Sequence, residues 1–290
     1  MTIASPAQTL SSVRTRDHIV DVLIAERAPK LAASPAWPVL RPLLYSFLDY
    51  AKARRMADAI QPLAGHAAIE HVSRLLSVRV AAAGLDRIPP TGRLIVVCNH
   101  PTGIADGIAV YDALRAIRPD LCFYANSDAH RVAPGLGEVL IPVEWVEAKR
   151  TRERTRETLL LTREALEAER CLVIFPAGRL ARRQADGRLA DPPWAPSAVS
   201  LARRYETPIV PLHVAGPWSR LFHIFNRFSS ELRDITLFHE LLNKQGRAFS
   251  LTVGRPIPHE ALEGEPADAI AELKSFVEDH LAADPERTFA

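Results

Sequence analysis

Apolar positions in the second half of the chain gather into short β-branched runs separated by longer amphipathic stretches. The runs fall at Val78–Ala81, Leu94–Cys98, Leu121–Tyr124, Leu172–Phe175, Ile209–Val214 and Phe249–Val253. Between them, helical spacing predicts helices over about Gly107–Ile117, Arg152–Glu169 and Ser197–Tyr205, with Pro266–Ala282 as a closing helix. Strand and helix alternating in this way predict an α/β fold, a mixed, largely parallel sheet flanked by helices.

The first 77 residues follow a different pattern. A polar, Ala- and Ser-rich start leads into one expected helix around Asp17–Ala33. In WPVLRPLLYSFLDYAKARRMADAI, Pro38 and Pro42 predict a helix only from about Arg41, because proline suits a first turn and not an interior. A further helix is expected across His66–Leu76. The pattern therefore divides the chain into a helical N-terminal extension, 1–77, and an α/β domain, 78–290.

Composition narrows the classes. Of 290 residues, 48% are hydrophobic and 24% charged, an ordinary balance for a folded chain. A formal charge of +2 gives no electrostatic argument for a nucleic-acid partner. Cys98, Cys122 and Cys171 each lie in an apolar run, which predicts buried free thiols in a reducing compartment. No run reaches the ~18 apolar residues that a membrane span needs, and MTIASPAQTLSSVRTRDHIV lacks the pattern of a secretory signal. The expectation is a cytoplasmic protein whose membrane contact, if any, is peripheral.

Two polar motifs follow predicted strands. NHPTGIADG comes after LIVVC, and FPAGRLARR completes LVIF. In open α/β sheets, ligand sites collect at the carboxyl ends of strands. His100 and Asp106 are six residues apart, which on a regular helix separates them by about 240°. They can meet only across a bend, and Pro101 with Gly103 supplies the residue types for one. Paired, an Asp carboxylate would fix the imidazole tautomer and leave the other ring nitrogen to take a proton. Unpaired, Asp106 would cap a helix starting at Gly107, and spacing alone leaves both readings open. In the second motif Gly178 marks a turn, followed by Arg179, Arg182 and Arg183, a set suited either to an anion or to a solvated face.

NHPTGIADG, then IFPAGR about 75 residues later, then TPIVPLHVAG over 207–216, resemble in order and spacing the glycerolipid and lysophospholipid acyltransferase superfamily. Its signature is a His, four residues and an Asp, then Phe-Pro-Glu-Gly with a nearby Arg, then a Pro-containing strand. Here five residues separate His100 from Asp106, and Ala177 stands at the glutamate position. Both features resemble a bacterial branch related to hemolysin-type and ornithine-lipid acyltransferases. GEVLIPVEW, residues 137–145, occupies the second motif's place without its arginine.

The resemblance implies an acyltransferase with His100 and Asp106 as catalytic pair and no covalent acyl-enzyme. Asn99, Gly103, Phe175, Pro176, Gly178, Arg179 and Arg182 would bind substrate. It implies no cofactor and no metal; acyl-CoA or acyl-carrier-protein would be the acyl thioester donor, and a lysolipid the acceptor. A hydrolase using the same pair and a catalytically idle lipid-binding protein are the alternatives.

A lipid acceptor calls for an interfacial surface. In PWSRLFHIFNRFS, Trp218, Leu221, Phe222, Phe225 and Phe228 recur at helical spacing against a polar and basic face; Trp37–Tyr50 is a second candidate. Either could equally pack on the core. His66, Glu70 and His71 fit no zinc-enzyme spacing, KRTRERTRE reads as a solvated helix face, and GxSxG and Walker loops are absent.

Overall fold

The computed structural model describes residues 17–144, 151–184 and 187–289. Trp145, Lys149 and Arg150, which enter two of the motifs above, lie outside the described residues. The chain starts with helices α1 (Ile19–Arg27), α2 (Pro29–Ala32), α3 (Trp37–Phe47), α4 (Tyr50–Ile60) and α5 (Gly65–Leu76). There follow β1 (Arg79–Ala83), β2 (Leu94–Cys98), α6 (Ile104–Leu114), β3 (Leu121–Asn126), α7 (Asp128–Val132) and β4 (Leu140–Val143). Then come α8 (Arg152–Glu167), β5 (Cys171–Ile174), β6 (Arg182–Arg183), β7 (Leu189–Ala190), α9 (Ser197–Arg204) and β8 (Ile209–Ala215). The chain closes with α10 (Arg220–Phe228), α11 (Ser230–Asp234), α12 (Leu237–Leu242), β9 (Ala248–Val253) and α13 (Pro266–Ser275).

The main sheet has seven strands in the order β1-β9-β8-β2-β5-β3-β4, parallel except where β8 meets β9. It is the mixed, largely parallel sheet expected. Every residue of β2 is fully buried, and its side chains alternate between two cores. Leu94, Val96 and Cys98 join a core that includes α1, α4, α5, α6 and α12, while Ile95 and Val97 join one built with α8, α9 and α13. A strand covered on both faces reads as a continuous apolar run rather than an alternation. The N-terminal helices thus share a core with the sheet: Val20, Met56, Ile69 and Leu76 lie in the same cluster as Val96 and Val173.

Several helix boundaries differ from expectation, each for a local reason. The helix expected over Asp17–Ala33 breaks at Ala28, whose backbone is non-helical (φ −132°, ψ 59°), because Pro29 disfavours helical geometry in the residue before it. Conversely, α3 starts at Trp37 and carries Pro42 inside, although the sequence predicts a start near Arg41. Pro42 forfeits its bond to the Pro38 carbonyl, and Pro38 is exposed on a helix with no buried residue, where water can satisfy it. Asp49, at φ 56°, then turns the chain into α4. Strand β4, inside GEVLIPVEW, escapes the strand pattern because it is four residues long and contains Pro142; it lies at the sheet edge. Pro211 sits in β8, where Ile209 bridges Ile257 while Leu212 pairs Val253, so the ladder to β9 bulges at the residue lacking an N–H.

At the amino ends of β3 and β5 the fully buried Arg118 grips Asp120 through Nε (2.8 Å) and Nη2 (2.6 Å). It also donates to the carbonyls of Pro89 and Glu169 (3.0 and 3.1 Å). Asp120 in turn accepts the Cys171 N–H (3.1 Å), so one side chain ties two strands and the loop before β2. All three cysteines are buried free thiols; burial pushes Cys122 up to about 11 and Cys98 well above its ordinary value. Replacing Arg118 by Met should lower stability by about 3 kcal/mol, since it strands a partly buried carboxylate and two carbonyls. Urea unfolding measures the loss, and turnover per folded molecule should be unchanged because Arg118 lies at the amino ends of the parallel strands and His100 at the carboxyl end of β2.

Candidate active site at the carboxyl ends of β2 and β5

Because β2 and β5 are parallel neighbours, the loops leaving their carboxyl ends lie side by side. Pro101 and Gly103 bend the first loop as expected, with Gly103 at φ 98°, a conformation that glycine adopts without strain. A Cβ there would also sit 3.3 Å from the Leu180 side chain of the second loop. The bend brings His100 Nδ1 to 3.0 Å from Asp106 Oδ2. The same oxygen accepts the N–H groups of Thr102 (2.8 Å) and Gly103 (3.0 Å), and Oδ1 accepts the Thr102 hydroxyl (2.5 Å).

Asp106 therefore both pairs with the His100 ring and caps a helix. Helix α6 begins at Ile104, three residues before the expected start, with Asp106 in its third position. The Asp106 N–H bonds the Gly103 carbonyl (2.9 Å) while the carboxylate takes the Gly103 N–H, a reciprocal cap. One side chain closes the helix and holds the imidazole. With three other donors converging on it, the carboxylate acts as acceptor toward His100 as well, which places the ring proton on Nδ1 and leaves a lone pair on Nε2. The Asp106 side chain is 0% exposed and that of His100 17%, so the pair opens outward only through the ring.

The Phe175 ring lies against the imidazole, centroids 4.5 Å apart. Pro176 follows it in a tight turn in which the Gly178 N–H bonds the Phe175 carbonyl (3.0 Å), with Gly178 at φ 60°. The loop continues to Ala181, whose N–H bonds the His100 carbonyl (2.9 Å). Asn99 is spent on β8: its amide donates to the Val214 carbonyl (2.9 Å) and accepts the Val214 N–H (2.6 Å). Among the residues assigned to substrate by resemblance, it is thus a clip that holds the loop.

Arg179 is exposed, whereas Arg182 lies half-buried with its guanidinium 5.1 Å from the Phe222 ring centre on α10. Its Nη1 is buried without a hydrogen-bond partner among the described residues. Burial first, then the Arg233 and Arg179 charges, pull Arg182 down from its ordinary value, with Asp234 opposing them. A buried guanidinium N–H with no protein partner among the described residues is costly, and it is available to an anion.

The sequence motifs omit one member of the site. Asp191, 5% exposed, accepts the His100 N–H with both carboxylate oxygens (3.1 and 3.0 Å) and the Trp194 Nε1–H with Oδ2 (2.9 Å). Burial, reinforced by the neighbouring Glu278 carboxylate, pushes Asp191 up to about 7. A carboxyl raised above its unfolded value favours the folded state when protonated, and that advantage is lost as pH rises through the folded value. Wild-type stability should therefore fall relative to Asp191→Asn as pH rises from about 4 to about 7. Paired urea titrations across that window read the difference.

The sequence profile of the family described as Acyltransferase matches residues 22–281 of this chain. A lyso-glycine lipid O-acyltransferase from Phocaeicola vulgatus is 26% identical over 201 residues, 67% of this chain and 70% of that protein. One of the same name from Bacteroides thetaiotaomicron is 23% identical, over 67% and 72%. The crystal structure of the 1-acyl-sn-glycerophosphate acyltransferase of Thermotoga maritima superposes with a TM-score of 0.48 at 13% identity, covering 93% of this chain and 98% of that one. The profile spans both the N-terminal helices and the sheet, and the chain belongs to the Acyltransferase family.

Proposed function

We propose that this chain transfers a fatty acyl group from an acyl thioester, carried by coenzyme A or acyl-carrier protein, to the hydroxyl of an anionic lysolipid. The observation that carries the reading is the buried Asp106 carboxylate 3.0 Å from Nδ1 of an imidazole at the carboxyl end of β2. Nε2 takes the acceptor's hydroxyl proton as the oxygen attacks the thioester carbonyl. The C–S bond then breaks, and the departing thiolate recovers the proton from the imidazolium, giving ester and thiol. Asp106 stabilises the imidazolium without taking its proton. Arg182, with Arg179 at the entrance, supplies charge for the acceptor's anionic group. The relatives' name, lyso-glycine lipid O-acyltransferase, supports a lysolipid acceptor acylated on oxygen.

A lipid acceptor is reached from a membrane surface. Helix α3 presents Val39, Leu43 and Phe47 at 61–69% exposure along one stripe. On α10 the stripe read from sequence is divided: Leu221, Phe222 and Phe225 turn inward, and the exposed apolar residues near this helix are Trp218, Ile224 and Phe228. Arg220 and Arg227 flank them, a composition suited to an anionic headgroup layer. None of the described helices is long and apolar enough to cross a membrane, which fits peripheral contact. The buried free thiols accord with the cytoplasmic face of that membrane.

His100→Ala should lower acceptor-dependent product by about 10² to 10⁴-fold with an unchanged fold. Near wild-type turnover by that variant refutes the assignment, and free fatty acid formed without acceptor assigns the pair to hydrolysis. Ile224→Glu with Phe228→Glu should weaken flotation with anionic vesicles while preserving turnover of detergent-dispersed substrate. Undiminished flotation rules out α10 as the contact.

A further inference from the structure

The His100 loop is held by its side chain and by its main chain, through different partners. Asp106 holds the ring. The main-chain carbonyl is taken by Ala181 and the N–H by both oxygens of Asp191, from a segment 91 residues further along. That segment is itself anchored. The Asp191 N–H bonds Glu278 Oε1 (2.7 Å), Glu278 is paired with Lys274 on α13, and the Ala195 N–H bonds the Pro176 carbonyl (3.0 Å). Residues 191–195 thus bridge the loops that follow β2 and β5.

A carboxyl group is an expensive choice for this place. A neutral acceptor could satisfy one backbone N–H, yet a buried carboxyl stands here beside a second carboxylate. Its two oxygens straddle a single N–H at nearly equal distances, which fixes that peptide in direction as well as position. The peptide so fixed is the one from which the imidazole projects. With the ring held at Nδ1 and the main chain held at N–H and C=O, the position of Nε2 is determined from two independent sides.

We propose that Asp191 is a positioning residue for His100, anchoring its main chain so that Nε2 is presented to the acceptor hydroxyl. The inference rests on His100 being the base of the transfer reaction. Asp191 touches no reacting atom; it acts through the peptide it grips, and Trp194 acts one step further out by orienting Asp191.

Three variants and two readouts test this. Asp191→Ala removes the anchor, and Asp191→Asn, with its amide oxygen in the place of Oδ2, keeps one acceptor for both the His100 and the Trp194 N–H groups. Trp194→Phe gives up the Trp194 bond alone. Displacing a base by about 1 Å costs on the order of 10²-fold in rate. Asp191→Ala should therefore lower kcat about 100-fold, with KM for the thioester within about threefold. Asp191→Asn and Trp194→Phe should stay within about fivefold of wild type in kcat. Amide hydrogen exchange at His100, which does not depend on activity, should accelerate at least about 100-fold in Asp191→Ala and little in Trp194→Phe. The proposal is overturned if Asp191→Ala keeps its kcat, or if Trp194→Phe loses as much, since a general weakening of the segment would then be the cause. Unchanged His100 exchange in Asp191→Ala overturns it as well. If His100→Ala itself proves active, the transfer reading fails, and the exchange measurement alone still decides whether Asp191 is the anchor.

Discussion

Where β2 leaves the sheet, its backbone must exchange strand partners for others without exposing polar groups, and that exchange builds the site. Cys98 still pairs with β8, while Asn99 continues the ladder with its side-chain amide, bonding Val214 in both directions. At His100 the N–H goes to Asp191 and the C=O to Ala181. The next two N–H groups that can donate, those of Thr102 and Gly103, go to Asp106. Buried backbone groups are nearly always paired, and here the pairing draws on three distant segments. The imidazole is fixed as a consequence of satisfying the loop.

This origin explains why Asp106 serves two purposes. A third-position acid in a helix normally reaches back to cap the first turn. Because the loop turns sharply at Gly103, the same oxygen that caps the helix also faces the ring. Removing the carboxylate would release the helix start and the imidazole together, so a variant at 106 reports on both at once. His100 carries no such second duty in its side chain, which makes it the cleaner probe of chemistry.

The sheet and the first-loop geometry were legible in the sequence because both are local. LIVVC and CLVI are dense β-branched runs of strand length, and Pro101 with Gly103 announces the bend that lets His100 reach Asp106. Strand β4 was not legible, because Pro142 in a short apolar run weakens the pattern and the missing stability comes from pairing with β3 and packing against α8. The inward turn of Leu221 and Phe225 was equally hidden, since helical spacing defines a stripe and not what covers it. Asp191 left no signal at all. In ADPPW it is a turn residue like any other, and its partner is 91 positions away.

The two buried carboxyls beside His100 differ in what surrounds them, and the difference suits their separate positions. Asp106 receives four donors and faces no acid among its hydrogen-bond partners. Asp191 receives the His100 and Trp194 N–H groups but lies against Glu278, and it is pushed up to about 7. Asp106 sits where donors from the loop and the ring converge, whereas Asp191 grips a peptide N–H, which needs only an oxygen lone pair that a carboxyl keeps on protonation. The main-chain anchor at Asp191 therefore holds its grip whether or not the carboxyl carries a proton.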